Sequence, residues 1–258
     1  MVENRKANPL AGKRVVITRA REQAGGFARL LEAEGAIPVL FPTIAFRPLK
    51  PPEGWRYDPD RYHWLVFTSA NGVRFFLELL PEGSRLLGKG TKVAVIGPGT
   101  RKKALECGMR VDVVPGEFIA ESVVEALGDV AGKRILIPRA KVAREVLPEE
   151  LRRRGAEVEV LAVYETFPPQ VDEEGLRRLE DSHIITFTSP STVENFVKML
   201  GEKAFSLCSD RVVASIGPVT TDRAKRLGIK VDVTSKEHSI PGLIDAIKRF
   251  LSSSKSIS

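Results

Sequence analysis

Short apolar runs rich in β-branched residues alternate with segments of helical period along the whole chain. Val15-Val16-Ile17 reads as a buried strand, residues 21–34 as a helix closed by Gly35, and Ile37 to Phe41 as the next strand. Leu65-Val66-Phe67, Val93 to Ile96 and Val111 to Val114 continue the strand series, with helices over 72–80, 100–106 and 120–127. Ile135 to Ile137, Val158 to Val163, Ile184 to Phe187, Val212 to Ile216 and Val231 to Val233 repeat it. Strand-length apolar runs separated by helices of about ten residues predict parallel, doubly wound α/β sheets.

The order of these elements repeats with an offset of 120 residues. Gly12-Lys13-Arg14 falls on Gly132-Lys133-Arg134, Arg19-Ala20 on Arg139-Ala140, and Phe67-Thr68-Ser69 on Phe187-Thr188-Ser189. Ile96-Gly97-Pro98 and Thr100 fall on Ile216-Gly217-Pro218 and Thr220. Chance identity is only about one position in fifteen at average composition. The period is domain-sized, far beyond the roughly 20–50 residues of solenoid repeats. An internal duplication is therefore expected.

The boundary between the copies, at 128–132, has no linker character. Proline-rich stretches instead interrupt each copy at matching places, Arg47 to Pro52 and Phe167 to Pro169. Two such breaks predict that the chain crosses twice between domains. One domain would be 53–166 and the other would join 1–46 to 170–258, with 47–52 and 167–169 as crossovers. Simple tandem halves are the alternative. The serine-rich tail from Ser252 to Ser256 is expected to be irregular.

Composition changes this picture little. The 258 residues are 43% hydrophobic and 28% charged, as expected of a globular protein. No apolar run is long enough to span a membrane, and MVENRKANPL lacks the apolar core of an export signal, so a cytoplasmic protein is expected. Cys107 and Cys208 have no metal-ligand spacing and read as reduced thiols. The net charge of +7 is spread among glutamates along helices rather than gathered into a stripe with aromatics. That argues against a nucleic-acid surface and leaves a general attraction for a small polyanion.

Candidate chemistry lies at the strand-to-helix junctions, where a parallel sheet presents unpaired helix N–H groups. Two matched pairs of loops carry small polar residues there: Ser69 and Asn71 with Ser189, and Gly97 and Thr100 with Gly217 and Thr220. Such ends hold carboxylates or phosphates; the alternative is that these residues only cap helices. Neither glycine loop fits a phosphate-loop or dinucleotide pattern. His63 and His183 match across the repeat but stand at strand starts, away from the binding edge, and His238 has no partner for zinc. Symmetry fails at Tyr164, which occupies the place of Ile44 just before the second crossover. Its phenol could donate a proton, or its ring could simply pack.

The ordered set from Lys13–Ala20 and Phe67-Thr68-Ser69 through Ile96 to Thr100, Val163 to Thr166, Phe187 to Pro190 and Ile216 to Thr220 resembles the uroporphyrinogen-III synthases. The resemblance spans about 12–247. It implies two flavodoxin-like domains joined by a two-stranded connector. It also implies cyclisation of hydroxymethylbilane, with loss of water and inversion of the last pyrrole ring, without cofactor or metal. By the same resemblance, Tyr164 matches the tyrosine proposed to assist departure of the hydroxyl, and Thr100 and Thr220 match threonines near the substrate. Arg19 and Ser69 join them as expected substrate-binding residues. The expected ligand is a tetrapyrrole polycarboxylate, with transient handover from hydroxymethylbilane synthase, and with neither nucleic acid nor membrane as partner. The rival reading is a two-lobed protein that binds a small polyanion without chemistry.

Overall fold

The computed structural model describes residues 8–117 and 119–254. In chain order it begins with β1 (Arg14–Ile17), α1 (Arg21–Ala33), β2 (Ile37–Leu40) and β3 (Ala45–Pro48). A short 3-10 turn at Pro59–Arg61 leads into β4 (Trp64–Phe67), α2 (Ala70–Leu79), β5 (Lys92–Val95), α3 (Pro98–Glu106) and α4 (Ala120–Leu127). Then come β6 (Arg134–Ala140), α5 (Val146–Arg153), β7 (Glu157–Phe167), α6 (Glu173–Glu180), β8 (Ile184–Phe187) and α7 (Pro190–Leu200). The chain closes with α8 (Lys203–Ser209), β9 (Val212–Ser215), α9 (Pro218–Arg226), β10 (Val233–Thr234) and α10 (Ile240–Ser254).

These elements form two compact units, one uniting the N-terminal segment through Ala45 with Phe167 onward, the other spanning Phe46–Thr166. The first unit holds a sheet of order β10-β9-β8-β1-β2, the second one of order β3-β7-β6-β4-β5. The pairs β1–β2, β1–β8, β8–β9 and β9–β10 are parallel, as are β4–β5, β4–β6 and β6–β7. The β1–β8 register sets Val15 beside Ile184, and the β4–β6 register sets Trp64 beside Ile135. Val15 and Ile135 are 120 residues apart, as are Trp64 and Ile184. Each sheet thus pairs a strand of one copy with a strand of the other.

Both faces of each sheet are covered. In the first unit, Phe27 and Leu31 of α1 pack with Leu243 and Ile247 of α10 over Val15 and Ile17. Phe196 of α7 packs with Leu207 and Ala224 over Val16, Ile185 and Phe187. In the second unit, Phe75 and Phe76 of α2 cover Leu65, Phe67 and Leu136, while Val123, Val124, Leu147 and Leu151 cover Val66 and Ile135. Strands buried on both faces read as continuous apolar runs, which is why they were visible in the chain. Each fully buried Phe or Leu contributes roughly 1.5–3 kcal/mol.

Three details depart from the sequence reading. Residues 111–114 do not form a full strand: only Val113 bridges, to Ala94. The Asp112 carboxylate accepts the Val93 N–H at 2.8 Å, so a side chain takes the place of a ladder rung, and Asp232 does the same for Val213 at 3.0 Å. Strand β7 runs on to Phe167, and β3 lies beside it, with the Leu49 N–H donating to the Val163 carbonyl at 3.0 Å. The tail from Ser252 is helical through Ser254, and the Ser252 and Ser253 hydroxyls donate back to the Lys248 and Arg249 carbonyls of the preceding turn. The rest of the expected irregular tail, Lys255 and Ser256, lies outside the described residues.

Candidate active site

In the second unit the β4–α2 junction is built around Ser69. Its extended backbone makes it the N-cap of α2, and its Oγ accepts the Gly72 N–H at 3.0 Å. Gly72 is small by necessity, since a Cβ there would come within 2.8 Å of the Pro138 carbonyl oxygen on β6. The same Ser69 Oγ lies 3.2 Å from the Tyr164 hydroxyl on β7. The Tyr164 ring stacks on Phe75 at 5.1 Å and meets the edge of Phe46 at 5.8 Å. Packing fixes the ring, and the serine fixes the hydroxyl beside the first turn of α2. Asn71 stands half-buried in that turn.

At the β5–α3 junction Gly97 has φ +80°, a conformation that excludes other residues at low cost, and Pro98 opens the helix. No side chain caps α3, so its first-turn N–H groups are left for an outside acceptor. Thr100 is buried in this turn.

The first unit repeats the theme with differences. Ser189 caps α7 in a capping box with Thr192 and also lies 3.0 Å from the Ser191 Oγ. Gly217 precedes α9, again with no side-chain cap, but its φ of 173° is ordinary extended backbone. A Cβ there would sit 2.7 Å from Cδ2 of the exposed His238 ring, so an added methyl meets a side chain and not backbone. Thr220 is buried in the first turn of α9. Arg19 follows β1 and is half-buried, and that burial pulls its guanidinium pKa below the ordinary arginine value. Among the described residues it has neither an ion pair nor a side-chain hydrogen bond, and nothing links it to Ser189, Gly217 or Thr220. A cation partly withdrawn from water without a carboxylate would gain from an anion brought to it.

The structure therefore joins Tyr164 to Ser69 and sets the other residues at strand C-terminal ends, distributed over both units. His63 and His183 lie at strand starts, where each Nδ1 accepts a backbone N–H. Sequence reasoning passed over Arg139, which lines a cavity of about 570 Å³ at the C-terminal ends of β4 and β6. The signal was present, since Arg139 is the repeat partner of Arg19. Phe46 and Phe75, which seat the tyrosine, carried no local signature. Among the described residues no group of three or more His, Cys, Asp or Glu could hold a metal, and no helix is long and apolar enough to cross a membrane.

Comparison with known proteins gives one consistent result. The family model described as uroporphyrinogen-III synthase HemD matches residues 26–245. The uroporphyrinogen-III synthase of Synechococcus elongatus is 33% identical over 94% of this chain and 97% of its own. That of Chlorobaculum parvum is 31% identical over 93% and 99%. Among solved structures, uroporphyrinogen-III synthetase from Helicobacter pylori aligns with a TM-score of 0.63 at 20% identity, covering 96% of this chain and all of that one. A mutant uroporphyrinogen III synthase from Thermus thermophilus aligns with a TM-score of 0.57 at 19% identity, covering 94% of this chain and all of its own. At these identities the structures speak for the fold.

Proposed function

The chain belongs to the uroporphyrinogen-III synthase family, and on that premise we propose how its residues divide the work. The activity is cyclisation of hydroxymethylbilane to uroporphyrinogen III in porphyrin biosynthesis, with loss of water and inversion of the terminal pyrrole ring. The match over residues 26–245 carries this assignment. The rival reading, a non-catalytic binding protein, is not favoured.

The linear substrate closes unaided to the uninverted isomer, so the protein's task is chiefly to hold one folded conformer, a positioning effect. The substrate's eight carboxylates need donors. The uncapped first turns after Gly97 and Gly217, the buried Thr100 and Thr220, Ser189, Asn71 and the half-buried Arg19 supply them. Tyr164 is the proton donor. As the terminal C–O bond breaks, its phenol protonates the departing hydroxyl to give water. The proton that the pyrrole loses when aromaticity returns restores the balance. Ser69 positions the phenol. No step requires a cofactor.

We further propose that both units are flavodoxin-like and derive from one duplicated unit whose strands were exchanged. The matching order of four strands, β9-β8-β1-β2 in one sheet and β5-β4-β6-β7 in the other, and the 120-residue spacing of the register partners support this. The domains are then 1–46 with 170–258, and 53–166, with 47–52 and 167–169 as the crossovers. Direct handover from hydroxymethylbilane synthase to this cytoplasmic enzyme completes the proposal. The deciding experiment supplies enzymatically generated hydroxymethylbilane, oxidises the products and separates porphyrin isomers I and III by chromatography. Isomer III above background is expected; isomer I alone would overturn the assignment.

A further inference from the structure

In the second unit, chain order reverses between β6 and β4, and the cavity of about 570 Å³ opens there, lined by Thr68 after β4, Ile96 after β5, and Ile137 and Arg139 of β6. Such a reversal is where parallel α/β sheets hold their ligands. The Arg139 side chain is only 7% exposed. One of its terminal nitrogens donates to the Arg144 carbonyl at 2.8 Å, the other pairs with the Glu145 carboxylate, and its buried Nε has no partner among the described residues. Glu145, by contrast, is 53% exposed and lies on a run, 141–146, that is exposed throughout. The receptor is fixed, and the carboxylate it holds lies on the solvent side. Glu121 and Arg144 also line the cavity, with opposite charges that offset one another.

The other copy shows the same receptor without its occupant. Arg19 stands 120 residues before Arg139, and the position corresponding to Glu145 is Gly25. Arg19 accordingly has no carboxylate partner among the described residues. The pair in the second unit thus displays what the guanidinium at this position accepts, namely a carboxylate brought in from the solvent side.

We propose that the Arg139 cavity is a second carboxylate subsite, in which Glu145 occupies the guanidinium until one acidic arm of the ligand displaces it. The inference rests on the reading that the ligand is a polycarboxylate. It makes the two copies unequal: the Arg19 site is open at all times, whereas the Arg139 site must exchange one carboxylate for another.

The test is a double-mutant cycle in the full-length protein, read as dissociation constants for uroporphyrin III, which carries eight carboxylates and needs no turnover to bind. Glu145→Gln removes the competitor and should tighten binding by about 5–10-fold, the factor by which a mostly closed pair reduces apparent affinity. Arg139→Gln should weaken binding by about tenfold or more, as loss of a charge-assisted bond does, and should abolish the gain from Glu145→Gln. Glu145 is exposed enough for its variant to fold, so the first arm stands even if Arg139→Gln is unstable. Unchanged or weaker binding by Glu145→Gln, or a gain that persists beside Arg139→Gln, would overturn the subsite. Formation of isomer III by the unmodified protein is read separately, so failure of the subsite and failure of the assigned reaction are distinguishable.

Discussion

His183 Nδ1 accepts the backbone N–H of Arg14 at 2.9 Å, across 169 residues of chain. The bond forms at the start of the seam between β1 and β8, where a strand of one copy meets a strand of the other. His63 does the same for Arg134 at 3.0 Å, at the seam of β4 and β6. An accepting Nδ1 requires a neutral ring with its proton on Nε2.

Acid should therefore loosen the first of these seams. Burial, then the nearby Lys13, Arg14 and Arg211, lower the His183 pKa below its ordinary 6.5. With the folded value depressed, the unfolded chain binds the proton more readily. The contribution is complete above about pH 6.5 and is lost as pH falls through the folded value. Urea midpoints between pH 8 and pH 5 should fall less steeply for His183→Leu than for the unmodified protein. Parallel profiles would show that the imidazole is not linked to folding.

Tyr164→Phe should lower turnover by roughly 10–1000-fold, within or slightly below the usual contribution of one acid–base group. Stability should change by only about 1 kcal/mol, because the ring keeps Phe75 and Phe46 and loses one hydrogen bond. Steady-state assays beside a thermal melt separate the two effects. Full turnover would mean that the phenol only packs.

Two glycines at matching positions should respond differently. Gly97→Ala forces φ +80° on an L-residue and should cost about 1–2 kcal/mol in urea unfolding. Gly217→Ala meets only the His238 ring, which is exposed and can swing aside, so its cost should stay under about 1 kcal/mol. Adding His238→Ala should remove what cost there is. A larger loss at Gly217 than at Gly97 would contradict this ranking.

Loss of Thr100 or Thr220 should be felt in binding. Thr100→Ala or Thr220→Ala should weaken uroporphyrin III by about 1 kcal/mol, near fivefold, if each hydroxyl serves a carboxylate. Calorimetric titration measures this directly, and unaltered affinity in both variants would confine the threonines to helix packing.

The domain assignment predicts which pieces fold. Residues 53–166 hold β4, β5 and β6 with all but the last residue of β7, and should unfold cooperatively alone. Residues 1–131 contain one whole copy but separate β1 from β8 and β4 from β6, baring strand edges, and should aggregate. A cooperative melt of 1–131 would reverse the assignment.

The sequence by itself determined most of the elements, because doubly covered strands must be continuously apolar, and it showed matching residues at a fixed offset of 120. It also marked Ser69, Gly97, Thr100, Ser189, Gly217 and Thr220, since cap chemistry is local and leaves a local signature. What it could not report depends on long-range pairing. The Tyr164–Ser69 contact spans 95 residues, and the aromatic seat from Phe46 and Phe75 exists only once β3, β7 and α2 have come together. At Asp112 a side-chain carboxylate takes the Val93 N–H, a long-range pairing that hydrophobicity along the chain does not report. Arg139 and Arg19 are matched in the repeat, yet among the described residues one is paired with a carboxylate and the other is not. Only tertiary structure brings Glu145 to one guanidinium, while Gly25 offers the other nothing.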